Sequence, residues 1–199
     1  MMKETESVLI EKKPTKSIIK HSTDTEFETP NPFYDLATNQ INIFPVLDIC
    51  ATEQNRKCKN YFSKEQDAFN FEWKYDIWAN IPFGSKVTKI NHNTPEEKRK
   101  PLGKGLVAWV QRINEQHLKY DISAITLLPL SATIIAKFSD YCETWIIPKR
   151  ITFWKNGKSD KFPISKDLML LAFRSSQNII DTFYSGTNRT QKKLNILQM

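Results

Sequence analysis

The chain has 199 residues, 40% of them hydrophobic and 26% charged, which is enough to bury the core of one domain and excludes a largely disordered chain. Lysine and arginine outnumber aspartate and glutamate by 29 to 22, and the net charge of +7 is compatible with a polyanionic partner. The longest apolar run, 124–130, is much shorter than the roughly 20 residues that cross a membrane. The charged N-terminus lacks the apolar stretch of an export signal, so no membrane association and a cytoplasmic location are expected.

Cysteine, histidine and glycine usage argues against several kinds of site. Cys50, Cys58 and Cys142 form no Cys-x-x-Cys pair and the three histidines are scattered, so no metal site is expected. Only five glycines are present, and they form neither a Gly-x-Gly-x-x-Gly motif nor a P-loop. The sequence therefore excludes a P-loop nucleotidase and a standard dinucleotide-dependent enzyme.

The patterning predicts one domain over residues 27–185, between a flexible N-terminal tail at 1–26 and a basic C-terminal tail at 186–199. In chain order, the predicted elements are a strand at 43–49, a helix at 52–62, a strand at 75–79, a helix at 105–118, a strand at 123–128, a helix capped by Ser131 and ending near 141, and strands at 145–147, 151–154 and 168–173. A turn at 155–158 follows the strand at 151–154. This alternation predicts an α/β sandwich with a mixed sheet.

Two of the predicted strands end in polar residues. Asp48 closes the first apolar run, and Asn80 follows the strand at 75–79. Ligands of α/β sheets bind outside the carboxyl ends of the strands. Asp48 and Asn80 are therefore the first candidates for a binding site.

Asn80 opens the tetrapeptide Asn80-Ile81-Pro82-Phe83, whose groups suit the methylation of an exocyclic base amine. The Asn80 side-chain oxygen and the Ile81 carbonyl can both accept hydrogen bonds from such an NH₂ group, which frees its lone pair from the ring. Pro82 would stiffen the turn, and Phe83 would stack on a base flipped out of the duplex. A strand that simply ends in a turn is the alternative, since asparagine and proline favour turns.

Together with this tetrapeptide, a series of short motifs between about residues 29 and 173 resembles the phage-type DNA adenine methyltransferases, the Dam family. The motifs include Thr29-Pro30, Leu47-Asp48-Ile49-Cys50-Ala51-Thr52, Lys57-Cys58, Leu127-Leu128-Pro129 and Arg150-Ile151-Thr152-Phe153. The resemblance implies a class I methyltransferase fold, which is a Rossmann-like three-layer sandwich with a mixed, mostly parallel sheet. It also implies S-adenosylmethionine as the cofactor and adenine in DNA as the substrate.

The resemblance further implies roles for individual residues. The catalytic residues are Asn80, Ile81, Pro82 and Phe83, and the cofactor-binding residues are Thr29, Pro30, Asp48, Ile49, Cys50, Ala51, Asp67 and Asn80. Thr29 and Pro30 would lie against the methionine end of the cofactor, and Asp67 would contact the adenosine part. Two alternatives that involve no ligand stay open: Asp48 could cap a helix, and Asp67 could be a solvated carboxylate.

One position departs from the family pattern, because Ile81 stands where the family usually has the first of two prolines. The change keeps the carbonyl but loses the φ restraint of proline. A catalytically impaired nucleic-acid-binding protein is therefore an alternative function. Methylation of the cytosine amine, or of RNA, also remains open.

DNA contacts are expected from the lysine-rich stretch that follows the tetrapeptide. Its basic residues are Lys86, Lys89, Lys98, Arg99, Lys100 and Lys104. Such side chains bind the phosphates of duplex DNA and position a protein without reading sequence. A solvated loop, partly neutralised by Glu96 and Glu97, is the alternative.

Overall fold

The computed structural model describes residues 27–82, 104–155, 157–159, 166–179 and 194–199. The predicted N-terminal tail at 1–26 lies outside the described residues. In the described part of the chain, no helix is both long and apolar enough to span a bilayer.

The described residues include three α-helices, one 3₁₀ helix and nine strands, and residues 176–179 are also helical. The helices are α1 (Asn31–Ile41), α2 (Leu106–Tyr120) and α3 (Ala132–Phe138), and the 3₁₀ helix is Ala68–Asn70. The strands are β1 (Leu47–Asp48), β2 (Asn60–Tyr61), β3 (Ile77–Asn80), β4 (Ala124–Pro129), β5 (Glu143–Ile146), β6 (Trp154–Lys155), β7 (Lys158–Ser159), β8 (Leu168–Phe173) and β9 (Leu194–Ile196).

The central sheet has the strand order β2-β1-β3-β4-β8-β5-β9, and β6 and β7 form a separate hairpin. Strands β1 to β4 are mutually parallel, with Leu47 opposite both Asn60 and Ile77. Strand β8 is antiparallel to both of its neighbours, β4 and β5. The prediction of a mixed, mostly parallel sheet is therefore confirmed, and the architecture is consistent with a Rossmann-like fold.

Two hydrophobic clusters lie on opposite faces of the sheet, because side chains alternate along each strand. In β3, Ile77 and Ala79 belong to the first cluster and Trp78 to the second. The first cluster contains the buried apolar residues of α2 and α3, and the second contains those of α1. Helices therefore cover both faces, which explains why β4 and β8 are almost continuously apolar.

Several predicted elements are confirmed with small shifts of their ends. Strands β4 and β8 and helix α2 lie where the apolar pattern placed them. The Ser131 side chain accepts a hydrogen bond from the Ile134 amide at 3.4 Å and caps α3, as expected, although the helix ends at Phe138. The predicted turn after Trp154 is the β6–β7 hairpin, in which Gly157 has a φ of 71°.

The predicted helix at 52–62 is wrong. This segment forms turns and strand β2, because side chains compete for its backbone amides. The Asn55 side-chain oxygen accepts from the Thr52 amide at 2.6 Å, and an Asp48 oxygen accepts from the Lys57 amide at 3.0 Å.

Two predicted strands are shorter than their apolar patterns suggested. Only Leu47–Asp48 of 43–49 and only Trp154 of 151–154 lie in strands. Ile43, Ile151 and Phe153 are buried in the second cluster without strand pairing. The apolar pattern at these positions therefore indicates burial of the side chains, not pairing in a sheet.

Helix α1 and strand β9 are among the elements that had not been predicted. Helix α1 carries Phe33, Ala37 and Ile41 at four-residue spacing and ends at Ile41, followed by the cap residue Asn42, whose φ of 58° is left-handed. Strand β9 lies within the segment expected to be a basic tail, yet it pairs in parallel with β5. The next residue, Leu197, is fully buried and donates its amide to the Ile146 carbonyl at 2.9 Å.

If β9 is part of the folded domain, Leu197→Ala should lower the free energy of unfolding by about 2–5 kcal/mol, since it opens a cavity in the second cluster. Ile196→Ala is the matched control, because Ile196 is 66% exposed. The control should stay within about 0.5 kcal/mol of the wild type in urea unfolding. Equal stability of all three proteins would show that this segment does not belong to the core.

Candidate functional site

A cleft opens at the carboxyl ends of β1 and β3, where the order of the strands reverses. From β1 the chain goes to β2 on one side and then to β3 on the other side. Such a switch point leaves a crevice in which ligands of α/β proteins bind. The residues that line this cleft are Phe27, Glu28, Thr29, Asp48, Cys50, Asn55, Lys57, Trp78 and Asn80.

Asp48, the last residue of β1, organises the turn below the cleft. Its carboxylate accepts hydrogen bonds from the Cys50 amide at 3.2 Å and from the Lys57 amide at 3.0 Å. Its carbonyl accepts from the Phe62 amide at 2.8 Å, which joins the turn to the end of β2. One buried side chain thereby holds the connection between β1 and β2 without any glycine-rich loop.

Burial dominates the electrostatics of Asp48, which is only 2% exposed. Loss of solvent raises the pKa of Asp48 from 3.8 to about 6, although the hydrogen bonds from Lys57 and Cys50 and the charge of Lys57 oppose the rise. The carboxylate is therefore ionised at neutral pH at a cost in folding free energy.

Asn80, the last residue of β3, is oriented by the segment before α1. Its Nδ2 donates a hydrogen bond to the Phe27 carbonyl at 3.1 Å. A side-chain amide has one donor end and one acceptor end, so this contact turns Oδ1 away from Phe27. Among the described residues, none donates a hydrogen bond to that oxygen.

The two residues after Asn80 differ in environment. The Ile81 side chain is 1% exposed and packs in the first cluster, whereas Pro82 is exposed. Packing of the Ile81 side chain therefore restrains the backbone directly after Asn80. Phe83 lies outside the described residues.

Two buried polar atoms of the residues lining the cleft have no hydrogen-bond partner in the described part of the chain. They are Oγ1 of Thr29, which is 2% exposed, and Nε1 of Trp78, which is fully buried. A buried polar atom without a partner costs free energy, so such atoms commonly meet a ligand or water. Sequence analysis had selected Thr29 but not Trp78, whose position two residues before Asn80 places it on the same face of β3.

The other predicted cofactor residues lie beside the cleft rather than in its lining. Pro30, Ile49 and Ala51 are buried neighbours of lining residues. Asp67 is not among the lining residues; it accepts from the Phe69 amide at the start of the 3₁₀ helix and pairs with Lys104 at 2.9 Å.

Lys104 is also the one described member of the predicted DNA-binding set. Its ammonium lies 3.7 Å from the centre of the Phe69 ring. The other members, Lys86, Lys89, Lys98, Arg99 and Lys100, lie outside the described residues.

The thiols near the cleft are not set up for nucleophilic chemistry. Burial raises the pKa of Cys50 well above its usual value and that of Cys58 to about 12. Both thiols are therefore protonated at neutral pH, and a protonated thiol is a poor nucleophile. In the described ranges, no three acidic, histidine or cysteine side chains gather as a metal site would require.

The sequence of this chain is similar to those of known proteins. The family model described as DNA N-6-adenine-methyltransferase (Dam) matches residues 16–195. This chain belongs to the Dam family. A protein named DNA N-6-adenine-methyltransferase from Haemophilus phage HP1 (strain HP1c1) is 34% identical over 74 residues, which are 37% of this chain. The match covers 43% of the length of that relative. The family resemblance of the sequence motifs is thereby confirmed.

The raised pKa of Asp48 predicts how the stability of the fold changes with pH. A carboxyl group whose folded pKa is higher than its unfolded pKa stabilises the fold below the unfolded value, and this contribution is lost as pH rises through the folded value. The variant Asp48→Asn has no group at position 48 that titrates. Relative to this variant, the free energy of unfolding of the wild type should fall by on the order of 3 kcal/mol between pH 3.8 and about 6. Urea unfolding of both proteins from pH 4 to 8 measures this difference. Parallel stability curves would contradict the burial of an ionising carboxylate at this turn.

Proposed function

We propose that this protein transfers a methyl group from S-adenosylmethionine to the exocyclic amine of adenine in DNA. Membership of the Dam family supports the reaction class. The observation that carries the proposal is the orientation of Asn80, whose amide is held through Nδ2 at the carboxyl end of β3. Its Oδ1 and the next carbonyl, that of Ile81, form the acceptor pair that an exocyclic NH₂ group requires.

The residues around the cleft fit S-adenosylmethionine, which supplies an electrophilic methyl group when bound. Thr29 Oγ1 and Trp78 Nε1 are buried donors that meet no partner among the described residues, and they suit a carboxylate. Asp48 supplies negative charge for the cationic groups. Asp48 holds the turn in place of a glycine-rich loop. A cofactor site at the β1–β3 switch point of a mostly parallel sheet also favours the class I methyltransferase layout.

The catalytic contribution of the chain is electrostatic and geometric. Asn80 Oδ1 and the Ile81 carbonyl accept the two amine hydrogens, which localises the nitrogen lone pair for attack on the methyl group. The amine then loses its proton after the transfer, so no strong base is needed. Burial of the Ile81 side chain preserves the placement of its carbonyl. We assign Phe83 to stacking on the flipped base and Pro82 to stiffening of the turn.

We propose duplex DNA as the substrate on the basis of the family and of the net charge of +7. The lysine-rich stretch between Lys86 and Lys104 would contact phosphates, and binding should weaken steeply with salt. Lys104 is paired with Asp67, so its contribution requires exchange of that carboxylate for a phosphate.

The first test is nucleoside mass spectrometry of unmethylated duplex DNA after incubation with the protein and S-adenosylmethionine. The wild type should produce methylated adenine, and Asn80→Ala should lower the rate at least about 100-fold, because one acceptor is lost. Asn70→Ala is the matched control: Asn70 is exposed and outside the cleft lining, and its variant should keep the wild-type rate. Unchanged transfer by Asn80→Ala would contradict the assignment.

The second candidate function, a nucleic-acid-binding protein without turnover, is favoured by Ile81 in place of proline. It predicts DNA binding without any methylated nucleoside. Methylated cytosine in the same experiment would support the same mechanism, with the cytosine amine as the target in place of the adenine amine.

Trp78→Phe tests the cofactor assignment, since it removes the indole N–H while keeping an aromatic ring at this buried position. We expect S-adenosylmethionine affinity, measured by calorimetry, to fall about tenfold, as for the loss of one hydrogen bond to a charged group. In Trp145→Phe, the matched control, the lost N–H is one that donates to Glu143 at 3.0 Å. The control should keep cofactor affinity yet be the less stable variant by about 1–3 kcal/mol, because it gives up a hydrogen bond to a charged group, although Arg174 still pairs with that carboxylate. Equal cofactor affinity in both variants would remove Trp78 from the site.

A further inference from the structure

The wall of the cleft formed by Phe27, Glu28 and Thr29 belongs to no helix or sheet strand, and other parts of the chain hold it in place. Glu28 and Trp154 exchange two backbone hydrogen bonds, each 2.9 Å long, so the segment is tied to the β6–β7 hairpin. The Phe27 and Phe153 rings also meet edge to face, with their centres 6.0 Å apart. We name residues 27–29 the strap.

The Glu28 carboxylate links the strap to two further places. Its Oε1 lies 3.7 Å from Lys57 Nζ, and its Oε2 accepts a hydrogen bond from the Gly157 amide at 3.2 Å. The Lys57 and Glu28 side chains are only 4% and 12% exposed, so solvent screens this pair weakly. Without Glu28, the ammonium of Lys57 would keep its contact with Asn31 Oδ1 and the more distant charges of Asp48 and Asp35, but it would lose its ion pair.

Lys57 extends the link to the turn below the cleft, because its backbone amide donates to Asp48. The Glu28 carboxylate thus connects the β6–β7 hairpin, the strap and the Asp48 turn. The strap in turn carries the Phe27 carbonyl that accepts from Asn80 Nδ2. A shift of the strap would therefore be felt at Asn80, which has no direct contact with Glu28 among the described hydrogen bonds.

We propose that Glu28 is a positioning residue that holds the Phe27 carbonyl against Asn80 and so sets which end of the Asn80 amide faces the target amine. The inference rests on the proposed function. If the amide turned over, an NH₂ group would oppose the NH₂ group of adenine, and neither could accept. Nothing in the reaction requires Glu28 to touch the base.

The expected result of Glu28→Ala is a fall in kcat of about tenfold to 100-fold at saturating cofactor and DNA, since misplacement of a contact group by about 1 Å costs up to that much. The dissociation constant of S-adenosylmethionine should change by less than about threefold. Glu53→Ala is the matched control, because Glu53 forms an exposed pair with Arg56 and does not line the cleft. It should match the wild type in both quantities.

A double-mutant cycle separates positioning from general damage. In the Asn80→Ala background, Glu28→Ala should cause no further loss of kcat, because both changes remove the same acceptor. Multiplicative losses would overturn the proposal, as would a loss confined to cofactor affinity, which would make Glu28 a cofactor contact. Glu28→Gln keeps an acceptor for the Gly157 amide and serves if Glu28→Ala does not fold.

A measurement without turnover distinguishes this inference from the proposed function. The side-chain amide signal of Asn80 in a ¹⁵N-correlated spectrum can be assigned by its loss in Asn80→Ala. In Glu28→Ala it should shift and exchange faster with solvent, as expected when the bond to Phe27 is released. An unchanged signal would overturn the positioning role. A released amide together with an inactive wild type would keep that role and refute methyl transfer.

Discussion

The buried carboxylate of Asp48 is the constraint on which the site depends. Many nucleotide-binding α/β proteins turn after the first strand through glycines, whose backbone approaches the ligand closely. Here the side chain of Asp48 binds two amides of the turn and its carbonyl binds a third. The turn is therefore held by hydrogen bonds to one ionised group, and the raised pKa of Asp48 reflects what burial of that charge costs.

The rest of the cleft is arranged around this turn by charge and by packing. Lys57 leaves the turn and meets Glu28 of the strap, and the strap meets Asn80 at the end of β3. Ile81 is anchored by the first hydrophobic cluster. The two strand ends at which the proposed chemistry occurs are thus joined through a third segment, which comes from before the first helix. The positions of the two proposed acceptors, Asn80 Oδ1 and the Ile81 carbonyl, therefore depend on contacts all around the cleft.

Residue patterns predicted the long buried strands and α2 well, because β4 and β8 are almost continuously apolar and α2 has an apolar stripe. They failed at 52–62, where side-chain oxygens of Asp48 and Asn55 capture amides that a helix would need. They also missed β9, since two of its three side chains are exposed and its pairing with β5 joins distant parts of the chain. Such competition and such long-range pairing leave little local signal.

The sequence by itself determined the family and the two polar strand ends, because Asp48 and Asn80 follow apolar runs and their motifs occur in the order of the Dam family. Only the tertiary structure decided that both line one cleft, that Trp78 lines it with them, and that Asp67 pairs with Lys104. The physical reason is that strand order and side-chain contacts arise from packing between residues far apart in the chain. A sequence motif identifies the functional side chains, whereas the fold determines the distances between them.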